Sequence, residues 1–313
     1  MTKFFAVISV FFVLVFVIFF KTSSLNDHAL FFIKNQNIYE TFKSDGSFGD
    51  SPAFFIIEKI PFLKNKIHTG EYIINEGESA LSVIKKMILG DKVTRKITFP
   101  EGLTTQMIIE NLNQNDLLFE HINELPPEAS LMPDTYFYQF GDTKQSVILK
   151  MKNNMKKTIS TLSAQNKTKL TMTDIITLAS IIEKETAIES ERSIISSVFH
   201  NRLSKKMRLQ SCPTVIYAIT NGYGKMDRKL TKNDLFFQSS YNTYRVSGLP
   251  PTPICCPGKK SIEAAMNPSQ TDFLYFVADS TETYHQFSKN YDNHKKNIAS
   301  RKIMVNSLTS KKG

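Results

Sequence analysis

The chain has 313 residues, no tryptophan and a formal net charge of +10, a length that suits a membrane anchor followed by one or two globular domains. Ordinary apolar and charged fractions exclude a disordered chain; three cysteines, Cys212, Cys255 and Cys256, make no disulfide framework, and none stands at zinc-binding spacing. The positive balance fits a polyanionic partner, but the basic residues are scattered and no nucleic-acid motif accompanies them, so a nucleic-acid binder is disfavoured.

In chain order, Phe4 to Phe20 is an apolar run broken by Ser9, near the lower limit for spanning a bilayer. Lys3 precedes it, and Lys21-Thr22-Ser23-Ser24 follows without a small-residue cleavage site. An uncleaved single-pass helix over 4–20 is therefore expected rather than a cleaved signal, with residues 1–3 on one side and the rest on the other. Flanking charge specifies the orientation weakly.

Residues 28–75 read as short strands and turns. Phe31 to Ile33 and Phe54 to Ile57 are strand-like runs, with turn residues at Asp45-Gly46-Ser47 and Gly49-Asp50-Ser51 between them. Gly70 to Ile74 reads as a strand. Leu81, Val83, Ile84, Met87 and Ile88 repeat at helical spacing ahead of Gly90, and Val93 to Phe99 is strand-like again. Together they predict a small β-α-β unit near residues 69–100.

After Pro100 the pattern turns mainly helical. Thr104 caps a helix through Leu112, and Gln145 to Ile159 forms a basic helix. Thr173 or Asp174 caps the next helix, and another runs from about Glu191 to Leu203. The proline-rich stretch Leu249 to Gly258 is a rigid loop. Ser261 caps a helix through Met266. Leu274 to Ala278 and Tyr284 to Phe287 are strand candidates, the first of them buried. No long internal repeat is visible.

The stretch Leu178 to Thr186 carries two glutamates at a helix end. At about 100° per residue, Ile175, Leu178, Ile181 and Ile182 share one face. Glu185 lies roughly 35° from its centre and Glu183 roughly 125° away; counting Ile176 and Ala179 as well brings the two to roughly 70° and 90°. The phase favours Glu185 modestly as the glutamate nearer the core, where its pKa should rise toward that of a proton donor. A helix-end carboxylate paired with a basic residue fits the spacing too.

Ala179-Ser-Ile-Ile-Glu-Lys-Glu-Thr186 resembles the signature of the endolytic murein transglycosylases, the YceG-like family. Further blocks match in order: Glu191-Arg192 with Val198 to Leu203, Met207 to Tyr217, Tyr241 to Tyr244 with Gly248 to Pro251, and Asn267-Pro268. Tyr275 to Ala278, His285 to Ser288 and, upstream, Pro133 to Tyr136 complete the set. The resemblance covers roughly residues 65–300. It implies an α+β protein with an N-terminal transmembrane helix, an extracytoplasmic region over 21–100 containing a LysM-like β-α-β subdomain (about 65–100), a larger mixed catalytic domain over 101–305 and a tail at 306–313.

The resemblance further implies a lyase of the inner membrane that cuts peptidoglycan glycan strands and works beside peptidoglycan synthases, without metal or cofactor. Glu185 matches the catalytic acid and base, with Glu183 as fallback. Gln210, Tyr217, Tyr241, Asn242 and Tyr244 are expected to bind the glycan, and Glu183, Arg202, Cys212 and His285 to support the site. Cys212 stands where the family usually has aspartate, and Cys256 where it usually has asparagine. Ala129 and Met132 replace common glycine and phenylalanine. Cys212 is expected near Cys255 and Cys256; a disulfide between them, which would need Cα atoms within about 7 Å, is left open. A non-catalytic wall-binding or divisome scaffold is the alternative.

Overall fold

The computed structural model describes residues 25–32, 36–48, 51–281 and 284–309. The apolar run at 4–20 and the tail beyond 309 lie outside the described residues. Among the described residues, no helix is long and apolar enough to cross a membrane. The chain divides into two compact units. The first gathers the N-terminal part to Ile97 with Asn115–Glu120 and Tyr136–Lys144; the second holds Thr98–Gln114, His121–Thr135 and everything from Gln145 onward.

In the first unit, β1 (His28–Phe32) pairs antiparallel with β2 (Gly70–Ile74), Leu30 opposite Tyr72. Between them lie α1 (Ile38–Asp45), α2 (Pro52–Lys59) and α3 (Pro61–Lys64). Phe54 to Ile57 is thus helical, not a strand. Four consecutive apolar residues do not reveal their period; Pro52 in the first turn and burial of Ala53, Phe54 and Ile57 beside exposed Phe55 show the helical one. Phe42 stacks on Phe54, with ring centroids 3.7 Å apart, inside a core shared with Ile38, Phe48, Tyr72 and Ile74.

Next come α4 (Ala80–Leu89) and β3 (Thr94–Thr98). Ser79 caps α4 by accepting from the Ser82 amide, and Gly90 ends it at φ 68°, where a Cβ would be strained. The expected strand-helix-strand order is present, but the pairing differs. β3 pairs with β4 (Thr135–Gln139) in a separate two-stranded sheet, while β2 stays with β1. One backbone bond, from the Val93 amide to the Glu71 carbonyl at 2.9 Å, joins the two segments. Arg95 ion-pairs with the fully buried Glu71, which gives that carboxylate a partner.

The second unit is helical with one hairpin. Thr104 caps α5 (Thr105–Asn113) as expected. The long basic helix is α6 (Lys144–Ser163). α7 (Met172–Glu185) opens on a capping box of Thr171 and Asp174, so neither Thr173 nor Asp174 is the cap residue itself. α8 (Glu189–Ser204), α9 (Cys212–Ile219), a short 3-10 turn (Asn233–Phe236) and α10 (Lys259–Met266) follow. Gly258, not Ser261, caps α10; the Ser261 hydroxyl is buried without a partner. β5 (Tyr275–Ala278) and β6 (His285–Ser288) form an antiparallel hairpin, half-buried along β5 rather than fully buried, ahead of α11 (Tyr291–Thr309).

α7 is the axis of this unit. Every residue from Ile175 to Ile182 is buried, and α8, α9 and α10 pack around it. A helix enclosed on all sides keeps polar groups for its end, and that end carries both glutamates.

Candidate active site

Glu185 is the last residue of α7 and borders a cleft of about 350 Å³. Burial raises its pKa; the Ser211 hydrogen bond and the charges of His285 and Arg202 partly oppose this. Its place at the negative end of the helix dipole also disfavours the anion. The carboxyl is half-buried and reached through the cleft. A carboxyl group whose protonated form is favoured in this way, and which faces an open space, is suited to deliver a proton there.

The turn before α9 holds Glu185 in place. Ser211 Oγ donates to Glu185 Oε1 at 2.5 Å. The Gln210 amide donates to the Thr243 carbonyl (3.1 Å), and the Ser211 amide to Thr243 Oγ1 (2.9 Å). On the other side Arg202 reaches from α8, its Nη1 donating to the Leu209 carbonyl at 2.8 Å and its Nε to Leu274 at 2.6 Å. Gln210 itself takes φ 50°, a left-handed backbone that is unfavourable for a non-glycine residue and persists where surrounding bonds enforce it.

The Arg202 guanidinium lies over the Tyr275 ring, 5.2 Å from its centroid, and burial lowers its pKa. On β6, His285 is tied to buried Glu191: its Nδ1 is 2.7 Å from Glu191 Oε2, and its backbone amide donates to Oε1 at 2.8 Å. An ionised carboxylate only accepts, so Nδ1 carries hydrogen and Nε2 is the atom left for other partners. Tyr244 and Cys212, 3.2 Å apart through hydroxyl and thiol, form another part of the wall. Burial raises the pKa of both groups, so the pair is neutral.

The structure therefore brings six of the expected residues to one cleft: Glu185, Arg202, Gln210, Cys212, Tyr244 and His285. Four lie elsewhere. Glu183 is tied to Arg192 at 3.3 Å and accepts from the Gly258 amide at 3.0 Å. A Cβ on Gly258 would meet the Glu101 carboxyl group, the end of a flexible side chain that would have to swing aside. Asn242 is fully buried; its amide nitrogen donates to Leu235 and Phe237 carbonyls and its oxygen accepts from the Tyr244 amide. It shapes the wall rather than facing the cleft. Tyr217 and Tyr241 pack together, 5.1 Å between ring centroids, with hydroxyls directed to Glu128 and Thr252.

The cysteines are apart in environment and all free. Cys212 is exposed at the cleft, whereas Cys255 and Cys256 are buried, Cys255 donating to the Ser180 carbonyl and Cys256 lying beside Thr105 and Glu128. No disulfide joins them among the described residues. The sequence reading missed Ser211, Glu191, Tyr275, Tyr291 and His294. Glu191, Ser211 and Tyr275 each stood inside a matched block, whereas Tyr291 and His294 lay outside all of them. No cluster of residues able to hold a metal occurs among the described residues.

A mixed α+β chain with one half-buried carboxyl group in a cleft of tyrosines, histidines and an arginine belongs to the class of proteins equipped for acid-base chemistry. The chain belongs to the YceG-like family, whose model matches residues 33–300. It is 36% identical over 203 residues to an endolytic murein transglycosylase of Bacillus subtilis, matching 64% of this chain and 52% of that protein. To an endolytic murein transglycosylase of Streptococcus pneumoniae it is 31% identical over 223 residues, matching 64% of this chain and 40% of that protein. The chain thus spans about half or less of the curated relatives it matches. A crystal structure of a YceG-like protein from Listeria monocytogenes superposes with a TM-score of 0.55 at 28% identity, covering 87% of this chain and 98% of the other.

Proposed function

We propose that this protein is an endolytic lytic transglycosylase that cuts the bond between N-acetylmuramic acid and N-acetylglucosamine in peptidoglycan strands. The observation that carries the reading is Glu185, the one carboxyl group lining the cleft among the described residues, its pKa raised by burial. Two-carboxyl hydrolysis needs a second acid at the same site; here the other wall groups are neutral or cationic. The names of the curated relatives support the substrate.

In the reaction, Glu185 gives its proton to the glycosidic oxygen as the bond from muramic C1 breaks. Positive charge develops at C1 and is shared by the sugar's own N-acetyl carbonyl. The carboxylate, now ionised and hydrogen-bonded by Ser211, removes the proton from the muramic C6 hydroxyl, which closes onto C1. The products are a 1,6-anhydro end and a free glucosamine end, and Glu185 is protonated again. Because the nucleophile belongs to the substrate, proximity replaces a second side chain. Arg202, Gln210, Tyr244 and His285 position the sugars. Residues 4–20 anchor the chain in the inner membrane, the segment near 65–100 is its LysM-like unit, and residues 101–305 act outside the cytoplasm beside peptidoglycan synthases.

Glu185→Gln tests this, because it keeps the hydrogen bond with Ser211 and removes the titratable proton. Release of anhydromuramic ends from purified peptidoglycan should fall by at least ~10²-fold, the scale of a lost acid-base group, with folding retained. Normal cleavage by the variant would overturn the mechanism, and wild-type protein that binds glycan without cutting it would mark a scaffold.

A further inference from the structure

We propose that one face of the first unit, built on Tyr39, Phe55 and Phe62 with Lys43, Lys59 and Lys66, docks on the anionic surface of the bilayer that anchors the chain. The inference rests on the membrane-anchor reading of residues 4–20 and goes beyond it.

Phe62 is 67% exposed and Phe55 47%, with exposed Ile60 and Pro61 between them in the chain. Neighbouring apolar side chains left in water mark a surface with a partner. The chemistry of the surroundings says which. Lys66 Nζ lies 4.3 Å from the centre of the Phe62 ring, Lys59 Nζ 5.4 Å from Phe55, and Lys43 Nζ 5.7 Å from Tyr39. Tyr39 and Phe55 meet edge to face at 5.6 Å, which joins two of these pairs into one surface.

Aromatic rings with lysines extended along them suit the lipid headgroup layer, where rings enter the acyl boundary and ammonium groups stay with phosphates. A protein interface core would be depleted of lysine. Of the carboxylates nearby, Glu58 is taken by Lys64 and the Ile38 amide, and exposed Glu40 is outnumbered by the lysines. Chain length agrees. From Lys21 to His28, where β1 begins, the chain has eight residues, and at most about 3.6 Å per residue keeps that strand within roughly 30 Å of the end of the apolar run.

The absence of tryptophan gives a direct test. Full-length Phe62→Trp protein is reconstituted in vesicles containing phosphatidylglycerol, with and without bromine-labelled acyl chains, and co-flotation is measured alongside emission. Phe236→Trp, at an exposed position of the second unit, is the comparison. The indole at position 62 should emit to the blue and lose about half its intensity to bromine, as expected for a ring buried about 5–10 Å into the interface. The Phe236→Trp signal should remain water-like, and adding Lys59→Glu and Lys66→Glu should abolish the quenching. Co-flotation with an unquenched, water-like indole at 62 would overturn the docking face and leave the anchor standing. A blue shift without bromine quenching would assign the face to a second copy or another protein. Equal quenching at 62 and 236 would remove the specificity claimed for this face. Failure to float would overturn both readings.

Discussion

Replacing Ser211 by alanine separates the environment of the proposed catalytic acid, Glu185, from the acid itself. The Ser211 hydroxyl is 1% exposed and donates to Glu185 Oε1, while the Ser211 backbone is held independently by Thr243 and Thr214. The substitution therefore removes one hydrogen bond and leaves the turn pinned. That bond favours the carboxylate against the burial that disfavours it. A hydrogen bond to a charged group contributes about 1.5–3 kcal/mol, so its loss shifts ionisation by up to roughly ten- to hundredfold toward the protonated acid. The sign follows: the alkaline limb of activity, where Glu185 loses its proton, should move to higher pH in Ser211→Ala. The acid-side rate should fall at the same time, because the carboxyl is less well aimed. Initial rates of anhydromuramic release from about pH 4 to 9, with Glu185→Gln as blank, would show both effects, and Ser211→Thr should restore the wild-type limb. An alkaline limb that stays put or moves to lower pH would refute the assignment of that limb to Glu185.

Glu183→Gln weakens a largely buried ion pair with Arg192 while keeping an oxygen for the Gly258 amide; urea unfolding should show a loss of about 1–3 kcal/mol, with activity per folded molecule within a few fold of wild type. Asn242→Ala strands two backbone carbonyls and the Tyr244 amide in a part-buried loop; stability should fall by about 1–3 kcal/mol, and turnover should fall with it as Tyr244 shifts, measured by thermal unfolding and end release. Under native conditions maleimide should modify Cys212 and spare Cys255 and Cys256 until the protein is denatured. Mass spectrometry reads the site, and labelling should block glycan cleavage because the adduct fills the cleft.

The elements with strong local grammar were legible in the sequence. Thr104 and Gly90 mark helix ends through their own side-chain and backbone chemistry, and the structure places caps at both. Phe54 to Ile57 was not legible, since its helical period emerges only when Ala53 and Ile57 are seen facing the same core. Helix phase favoured Glu185 over Glu183 on the assumption of one apolar face. α7 is buried all round from Ile175 to Ile182, so phase alone does not separate the two. Their fates diverge through distant groups: Arg192 and Gly258 claim Glu183, and Ser211 claims Glu185. The tyrosines show the same limit. Tyr241 and Tyr244 are three positions apart, but one hydroxyl turns to Thr252 and the other to Cys212, because buried Asn242 and Thr243 fix the loop between them.

The bond between Glu191 and His285 spans 94 residues of chain and joins the helix following Glu185 to a hairpin made long afterwards. During synthesis from the N-terminus, the acid and most of its support emerge well before Tyr275 and His285. An incomplete chain therefore carries Glu185 with one wall of its cleft missing. The cleft is complete only once β5 and β6 are paired and in place.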